Sequence, residues 1–305
     1  MSRHDETETI WRLGAGRAVP LDEPQLMGVV NATPDSFSGG GQTWSAEALT
    51  GHALRLLEEG ASMLDVGGES TRPGAARVSA EVQIDRTVAV IAAIRTCADV
   101  PISIDTTRAA VAEAALDAGA SIINDVSAGR EDEGMLPLAA ERGCGLVLMH
   151  RRLPPDRDSY SDRYEREPAY GDVVRAVREF LVARVAAAEA AGVDPASIVI
   201  DPGLGFGKSV EQNYELIART DQFVASGRPV LGAASRKSFI GAVTGVEDPR
   251  DRVAGSTAVA VIQYLAGVRL FRVHDVAAHR EALAVARAIR AQGEIRAPSC
   301  GAGPG

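Results

Sequence analysis

Val230-Leu231-Gly232-Ala233-Ala234 is a short apolar run, and Ser235-Arg236-Lys237-Ser238 follows it without a break. A second run, 268–273, carries Arg272 next to its end, and His274 follows it directly. Arg272 and His274 are two positions apart, so in a strand both point to the same side. Six further runs lie at 26–30, 63–66, 101–104, 121–123, 145–148 and 197–200. Asn31, Asp105, Asn124-Asp125 and Asp201 directly follow four of them. The runs are continuous rather than alternating, as in strands buried on both faces. Between them lie stretches of helical spacing: 46–59, 79–96, 108–118, 134–142, 172–191, 211–225, 249–266 and 276–290. In the first of these, Leu49, Ala53, Leu56 and Leu57 share one stripe. Gly60, Gly119, Gly143, Gly192 and Gly267 stand where helices should stop.

Eight strand–helix units over about 250 residues predict an α/β fold, a single-domain (β/α)8 TIM barrel. An open doubly wound sheet is the alternative, and the count of eight favours the barrel. The barrel is expected over 26–292. Residues 1–25 form an N-terminal extension expected to pack on its lower end, and 293–305 are expected to be a disordered C-terminal tail rich in Pro, Gly and Ala. Polar chemistry just beyond each strand predicts a C-terminal mouth that binds a polar, anionic small molecule.

The 305 residues are 46% hydrophobic and 24% charged, an ordinary globular balance. Only 4% are aromatic, so the core must come from Val, Ile, Leu and Ala. A net charge of -9 argues against a nucleic-acid surface but leaves room for a local basic pocket. No apolar stretch is long enough to span a membrane, and the polar, acidic start lacks a secretory h-region. Cys97, Cys144 and Cys300 have no metal spacing; reduced thiols fit a cytoplasmic protein.

Each polar position has a plain structural reading beside the functional one. Asn31 to Gly41 has the Asn, Pro and Gly of ordinary turns, yet its hydroxyls and carboxylate over glycines suit a segment that closes on a ligand. In Gly67-Gly68-Glu69-Ser70-Thr71-Arg72-Pro73-Gly74, the glycines allow close backbone approach, and Arg72 suits a phosphate or carboxylate. Asp105 before Thr106-Thr107 suits a helix N-cap. A ring of Asp105, Asn124 and Asp201 also suits the donor-rich edge of a heterocycle. Asp201-Pro202-Gly203-Leu204-Gly205-Phe206-Gly207-Lys208 lacks Walker A spacing and reads as a tight, exposed turn presenting Phe206. No dinucleotide fingerprint follows the first strand. His274 alone reads as structural, but with Lys237 and Arg272 it marks the phosphate corner common after strands seven and eight of such barrels. No zinc cluster occurs; a magnesium ion held mainly by ligand phosphates is compatible with the residues present.

Taken together, MGVVNATPDSFS, LDVGGESTRPGA, ISIDTT, IINDVS, VLMH, DPGLGFGK, SRKSFIG and FRVHDV resemble the dihydropteroate synthases, the sulfonamide-inhibited enzymes of folate biosynthesis. The resemblance spans 26 to 276 and implies a barrel that joins 6-hydroxymethyl-7,8-dihydropterin pyrophosphate to 4-aminobenzoate. It implies that Asp105, Asn124, Met149, Asp201, Lys237 and Arg272 bind the pterin. Thr71, Arg72, Pro73, Phe206 and Ser238 would line the aminobenzoate pocket, and Asn31 would ligate Mg2+. Asp105, Lys237, Arg272 and His274 would carry the catalytic work, with the cations gripping pyrophosphate. A homodimer through the helices flanking the last strands is implied as well.

Four positions depart from the family pattern: Gly39 for Asp, Leu204 for Phe, Ala233 for Gly, and Arg151-Arg152-Leu153-Pro154 for Met-Gln-Gly-x-Pro. Two rivals stand beside the synthase. A pterin-dependent methyltransferase domain shares the Asp/Asn clamp but has no need of the TPDSFS and STRPG segments. A non-catalytic pterin-binding paralogue draws on Gly39 and the altered rim.

Overall fold

The computed structural model describes residues 10–14, 16–33 and 45–293. It opens on an antiparallel hairpin, β1 (Ile10–Gly14) and β2 (Arg17–Pro20). Then come β3 (Gln25–Asn31), α1 (Ala46–Glu59), β4 (Met63–Gly67), α2 (Ala80–Cys97), β5 (Ile102–Asp105) and α3 (Ala109–Asp117). The next units are β6 (Ile122–Asp125), α4 (Met135–Arg142), β7 (Gly145–Met149), α5 (Val173–Ala190) and β8 (Ile198–Asp201). The chain continues through α6 (Val210–Ala218), α7 (Asp221–Val224), β9 (Leu231–Gly232) and α8 (Ser238–Thr244). It finishes with α9 (Val253–Leu265), β10 (Leu270–Val273) and α10 (Val276–Arg290).

Strands β3 to β10 form one parallel sheet in the order β8-β7-β6-β5-β4-β3-β10-β9. It closes where Ile200 bridges Val230, the Ile200 N–H donating to the Pro229 carbonyl at 3.0 Å. The (β/α)8 barrel is therefore present, and the open sheet is not. Alternate strand residues face opposite ways. The outward set (Val30, Leu64, Ile104, Ile123, Leu148, Ile200) packs under the helices, while Met27, Met63, Ile122, Val147, Val199, Leu231 and Leu270 fill the lower interior. Both sets are apolar, which is why the strands read as unbroken runs.

The hairpin plugs the lower end. Trp11, Leu13, Val19 and Leu21 join that interior set, and the Trp11 Nε1–H donates to the Ser197 carbonyl at 2.8 Å. Burying one such indole contributes on the order of 4 kcal/mol. Residues 1–9, the glycine-rich segment with Gly39, and the tail with Cys300 lie outside the described residues.

Local chemistry sets the helix ends. Ser45, Ser79 and Asp172 cap α1, α2 and α5 through side-chain oxygens, and Ser209 with Gln212 makes a capping box on α6. Three local expectations are corrected. The stretch 211–225 is two helices, because the backbone leaves helical geometry at Arg219 (φ −111°, ψ 29°) before Thr220 starts the second. Asp105 caps nothing: α3 starts four residues later, after Arg108. The 201–208 turn is buried rather than exposed, with Phe206 7% accessible. Among the described residues no helix is long and apolar enough to cross a membrane.

Candidate active site

Towards the C-terminal ends of most strands the inward column turns from apolar to polar: Met63 gives way to Asp65, Ile122 to Asn124, Val199 to Asp201 and Leu270 to Arg272. Register sets Asn31 beside Gly67, Gly67 beside Asp105, and Asp105 beside Asn124. Across the barrel, Met149 lies beside Asp201. Pleat and register thus bring six of the sequence-predicted residues to the mouth without any loop contribution: Asn31, Asp105, Asn124, Met149, Asp201 and Arg272.

At the centre is an ion triad. Arg272 donates from Nε to Asp65 Oδ2 at 2.6 Å and from Nη2 to Asp105 Oδ2 at 2.9 Å. Asn124 Nδ2 adds a bond to Asp65 Oδ2 at 3.3 Å. Asp65 is fully buried and Asp105 nearly so, and the Oδ1 atom of each is buried without a partner among the described residues. Orphaned carboxylate oxygens in a native interior call for an explanation, and an incoming donor is one.

Burial pushes the Asp105 carboxyl up to about 7, against the pull of Arg272; Asp65 adds to the rise. Burial also raises Asp201, opposed by the Gly203 N–H that donates to its Oδ1 at 2.7 Å. Lys237 sits with Nζ 4.1 Å from the centre of the Phe206 ring, a cation–π seat. Burial lowers its ammonium to about 8, helped by Arg272 and opposed by Asp201 and Asp105. Arg236, just before it, takes φ of +62° and is held by Asp275. That strained turn aims Lys237 inward.

His274 faces the Ser235 hydroxyl, 3.0 Å from Nδ1. Burial and then the neighbouring Arg272 hold it well below its ordinary value, so in the free enzyme it is neutral rather than a third cation. Two of the Arg272 nitrogens are committed to carboxylates, so Arg272 is a buttress first. Positive charge not committed to a carboxylate comes at this corner from Lys237 and from Arg72, which is exposed and close enough to act on both Lys237 and His274. Thr71 and Pro73 flank Arg72 and are half-buried. Ser238 opens α8, its hydroxyl accepting from the Ser161 N–H at 3.2 Å.

Sequence reasoning passed over three groups. Asp65 lies inside a run taken as apolar; a carboxylate there requires a partner, and that was the available signal. Lys208 is wholly buried beneath the Phe206 turn. Glu131 accepts from Arg77 Nη2 at 2.8 Å and Thr107 Oγ1 at 2.7 Å and pairs with Arg151, while Arg77 also holds Glu69 at 3.2 Å. This ionic chain ties the segment after β4 to those after β5, β6 and β7. No sequence spacing announces it.

Comparison with known proteins agrees with this geometry. Residues 27–274 match the model of the family described as Pterin binding enzyme. The dihydropteroate synthase of Mycobacterium leprae is 45% identical over 266 residues, covering 86% of this chain and 92% of that protein. The structure of Xanthomonas albilineans dihydropteroate synthase with 4-aminobenzoic acid superposes with a TM-score of 0.86 at 45% identity, over 93% of this chain and 99% of that one. The same enzyme in complex with 7,8-dihydropteroate gives 0.81 at 43% identity, over 91% and 97%. With a polar crown of acids, amide and lysine in a closed parallel barrel, and with likeness running nearly end to end, the chain belongs to the pterin-binding enzymes, among the dihydropteroate synthases.

Proposed function

We infer that this chain condenses 6-hydroxymethyl-7,8-dihydropterin pyrophosphate with 4-aminobenzoate, giving 7,8-dihydropteroate and pyrophosphate. The observation that carries the reading is the pair of orphaned oxygens on Asp65 and Asp105 in a buried ring that includes Asn124 and Asp201. A pterin offers amino and ring N–H donors along one edge, and such a ring accepts them.

The chemistry follows from the same residues. The C–O bond to pyrophosphate breaks, and the carbon left behind shares its positive charge with the pterin ring. Asp105, buried and close, stabilises that charge electrostatically. Lys237 and Arg72 favour departure of the anion. The arylamine nitrogen forms the new C–N bond with that carbon and gives up one proton to the departing pyrophosphate or to water; already a neutral nucleophile, it needs placement more than a base, and Thr71, Pro73, Phe206 and Ser238 supply the walls. Met149 packs with Phe206 and Val126 in an apolar cluster. For Mg2+, no group of three acidic, His or Cys ligands occurs among the described residues. Asn31, at the strand end beside Gly67, offers one hard oxygen, which fits an ion otherwise held by pyrophosphate and water. Such an ion supplies charge neutralisation on the leaving group.

Incubating the protein with pterin pyrophosphate, 4-aminobenzoate and magnesium tests the reading: dihydropteroate forms, and a sulfonamide competes with aminobenzoate. Tight pterin binding without product would favour the non-catalytic paralogue instead.

The free-enzyme acid–base behaviour is also expected to show. Asp105 must be ionised and Lys237 protonated, so kcat/KM for the pterin substrate rises as pH climbs towards about 7 and falls above about 8. Rates measured from about pH 5.5 to about 9.5 check this; a flat profile refutes it.

Ile262 and Leu265 on α9, with Val285 and Ile289 on the adjoining α10, are exposed apolar side chains on packed neighbours. This face supports a homodimer. Ile262→Glu with Val285→Glu is expected to give monomer in sedimentation; an unchanged mass would rule that face out.

A further inference from the structure

The buried turn at 201–208 holds a lysine that the condensation leaves unused. Lys208 has no solvent exposure at all. Its Nζ lies 2.7 Å from the Gly203 carbonyl, 2.9 Å from the Phe206 carbonyl and 3.0 Å from His150 Nδ1. The His150 carbonyl adds a longer contact at 3.4 Å, so the three protons of an ammonium sit in a cage of acceptors. Burial keeps the His150 imidazole neutral, so its Nδ1 can accept. Burial also draws Lys208 down to about 7, while Asp201 and Asp158 pull the other way. The charged form offers a proton to each of the two carbonyls and one to the imidazole nitrogen at once, which suits the geometry.

The backbone is shaped around this cation. Gly203 has φ of +69°, and a Cβ there would sit 1.9 Å from the His150 carbonyl oxygen, so no other residue fits. From outside, Tyr170 Oη donates to the Gly207 carbonyl at 2.8 Å, and the Gly207 N–H donates to Asp158 Oδ2 at 2.9 Å. The Gly205 N–H donates to Asn213 Oδ1 at 2.7 Å.

What the turn presents gives the arrangement its meaning. At one end Gly203 N–H orients Asp201. In the middle Phe206 seats Lys237 and faces Met149. One interior ammonium therefore sets an acid, an aromatic wall and a second lysine together.

We propose that Lys208 is a positioning residue for both substrates: by drawing the Gly203 and Phe206 carbonyls and His150 inward, it aligns Asp201, Phe206 and Lys237 before ligand arrives. The inference rests on the synthase reading above. It differs from a plain loop-stabilising role in what it moves. Destabilisation alone lowers the amount of folded enzyme and leaves both KM values alone; misalignment raises them in molecules that are folded.

The test uses Lys208→Met, which has no donor, and Lys208→Gln, which retains two, each confirmed as folded by thermal unfolding. KM for aminobenzoate and for pterin pyrophosphate should each rise at least about 10-fold per folded enzyme. Adding Phe206→Leu to Lys208→Met should raise the aminobenzoate KM by less than the product of the single effects, because both act through one wall. Folded variants with both KM values within about 2-fold of wild type overturn the proposal. If neither variant folds, Tyr170→Phe loosens the same turn from outside, and an aminobenzoate KM raised about 3-fold is expected; an unmoved KM overturns it. Wild-type enzyme assayed alongside separates the failures. No product from wild type refutes the enzyme reading, whereas normal wild-type turnover with unmoved variant KM values refutes the role of Lys208 alone.

Discussion

Asp105→Asn is expected to lower kcat for the condensation by at least about 10²-fold, and Lys237→Ala to do the same, with the folded protein retained in both. The amide keeps the shape of Asp105 and an oxygen for the Arg272 Nη2 donor, now 2.9 Å away. What it removes is the negative charge facing a developing cation. The buried setting makes that charge effective, since little water screens it. Stability should stay within about 1–2 kcal/mol, because one charge-assisted bond is replaced by a neutral one. Lys237→Ala deletes the cation seated on Phe206 and leaves its ring in place. Single-turnover rates at saturating substrate give the measurement, and kcat within a few-fold of wild type in either variant would remove that residue from the chemistry.

The second large effect concerns folding. Arg272→Met should cost about 3–5 kcal/mol of unfolding free energy at mildly alkaline pH, because it strands two buried carboxylates that now share one guanidinium. The pH dependence gives the sign. Asp105 already lies at about 7, above its ordinary range, and Arg272 is what holds it down. Without Arg272 it rises further above its unfolded value, so its destabilising charge persists only above the raised value and disappears as acid protonates it. The deficit relative to wild type is therefore largest near about pH 8 and shrinks towards about pH 5. Urea unfolding at the two pH values decides the matter; a loss below about 1 kcal/mol, or one that grows in acid, contradicts the triad's role.

Much of this was legible in the chain because a barrel strand is apolar on both sides until its end. Asp105, Asn124, Asp201 and Arg272 stood out as polar groups where such runs stop; register sets Asp105 beside Asn124, and barrel closure brings Asp201 and Arg272 to the same mouth from other strands. The hairpin was missed although Trp11 and Leu13 alternate with Arg12, the pattern of a half-buried strand. Helix α8 was hidden in a stretch read for its cations. Asp65 was masked by the apolar neighbours on either side, and its meaning depends on Arg272, which is 207 positions away. The neutral state of His274 and the ionic chain through Glu131 are tertiary facts: burial and convergence of distant loops create them, and no local spacing encodes either. Arg151, a departure from the family pattern, is the visible end of that chain.

The closing of the barrel has a temporal consequence. β10 docks between β3 and β9, and it brings the guanidinium that Asp65 and Asp105 await from 207 and 167 residues earlier. A nascent chain on the ribosome can have every earlier strand made and still hold Asp65 and Asp105 without their cation, since such long-range closure comes late. The acid ring is thus completed only by the last strand to leave the ribosome.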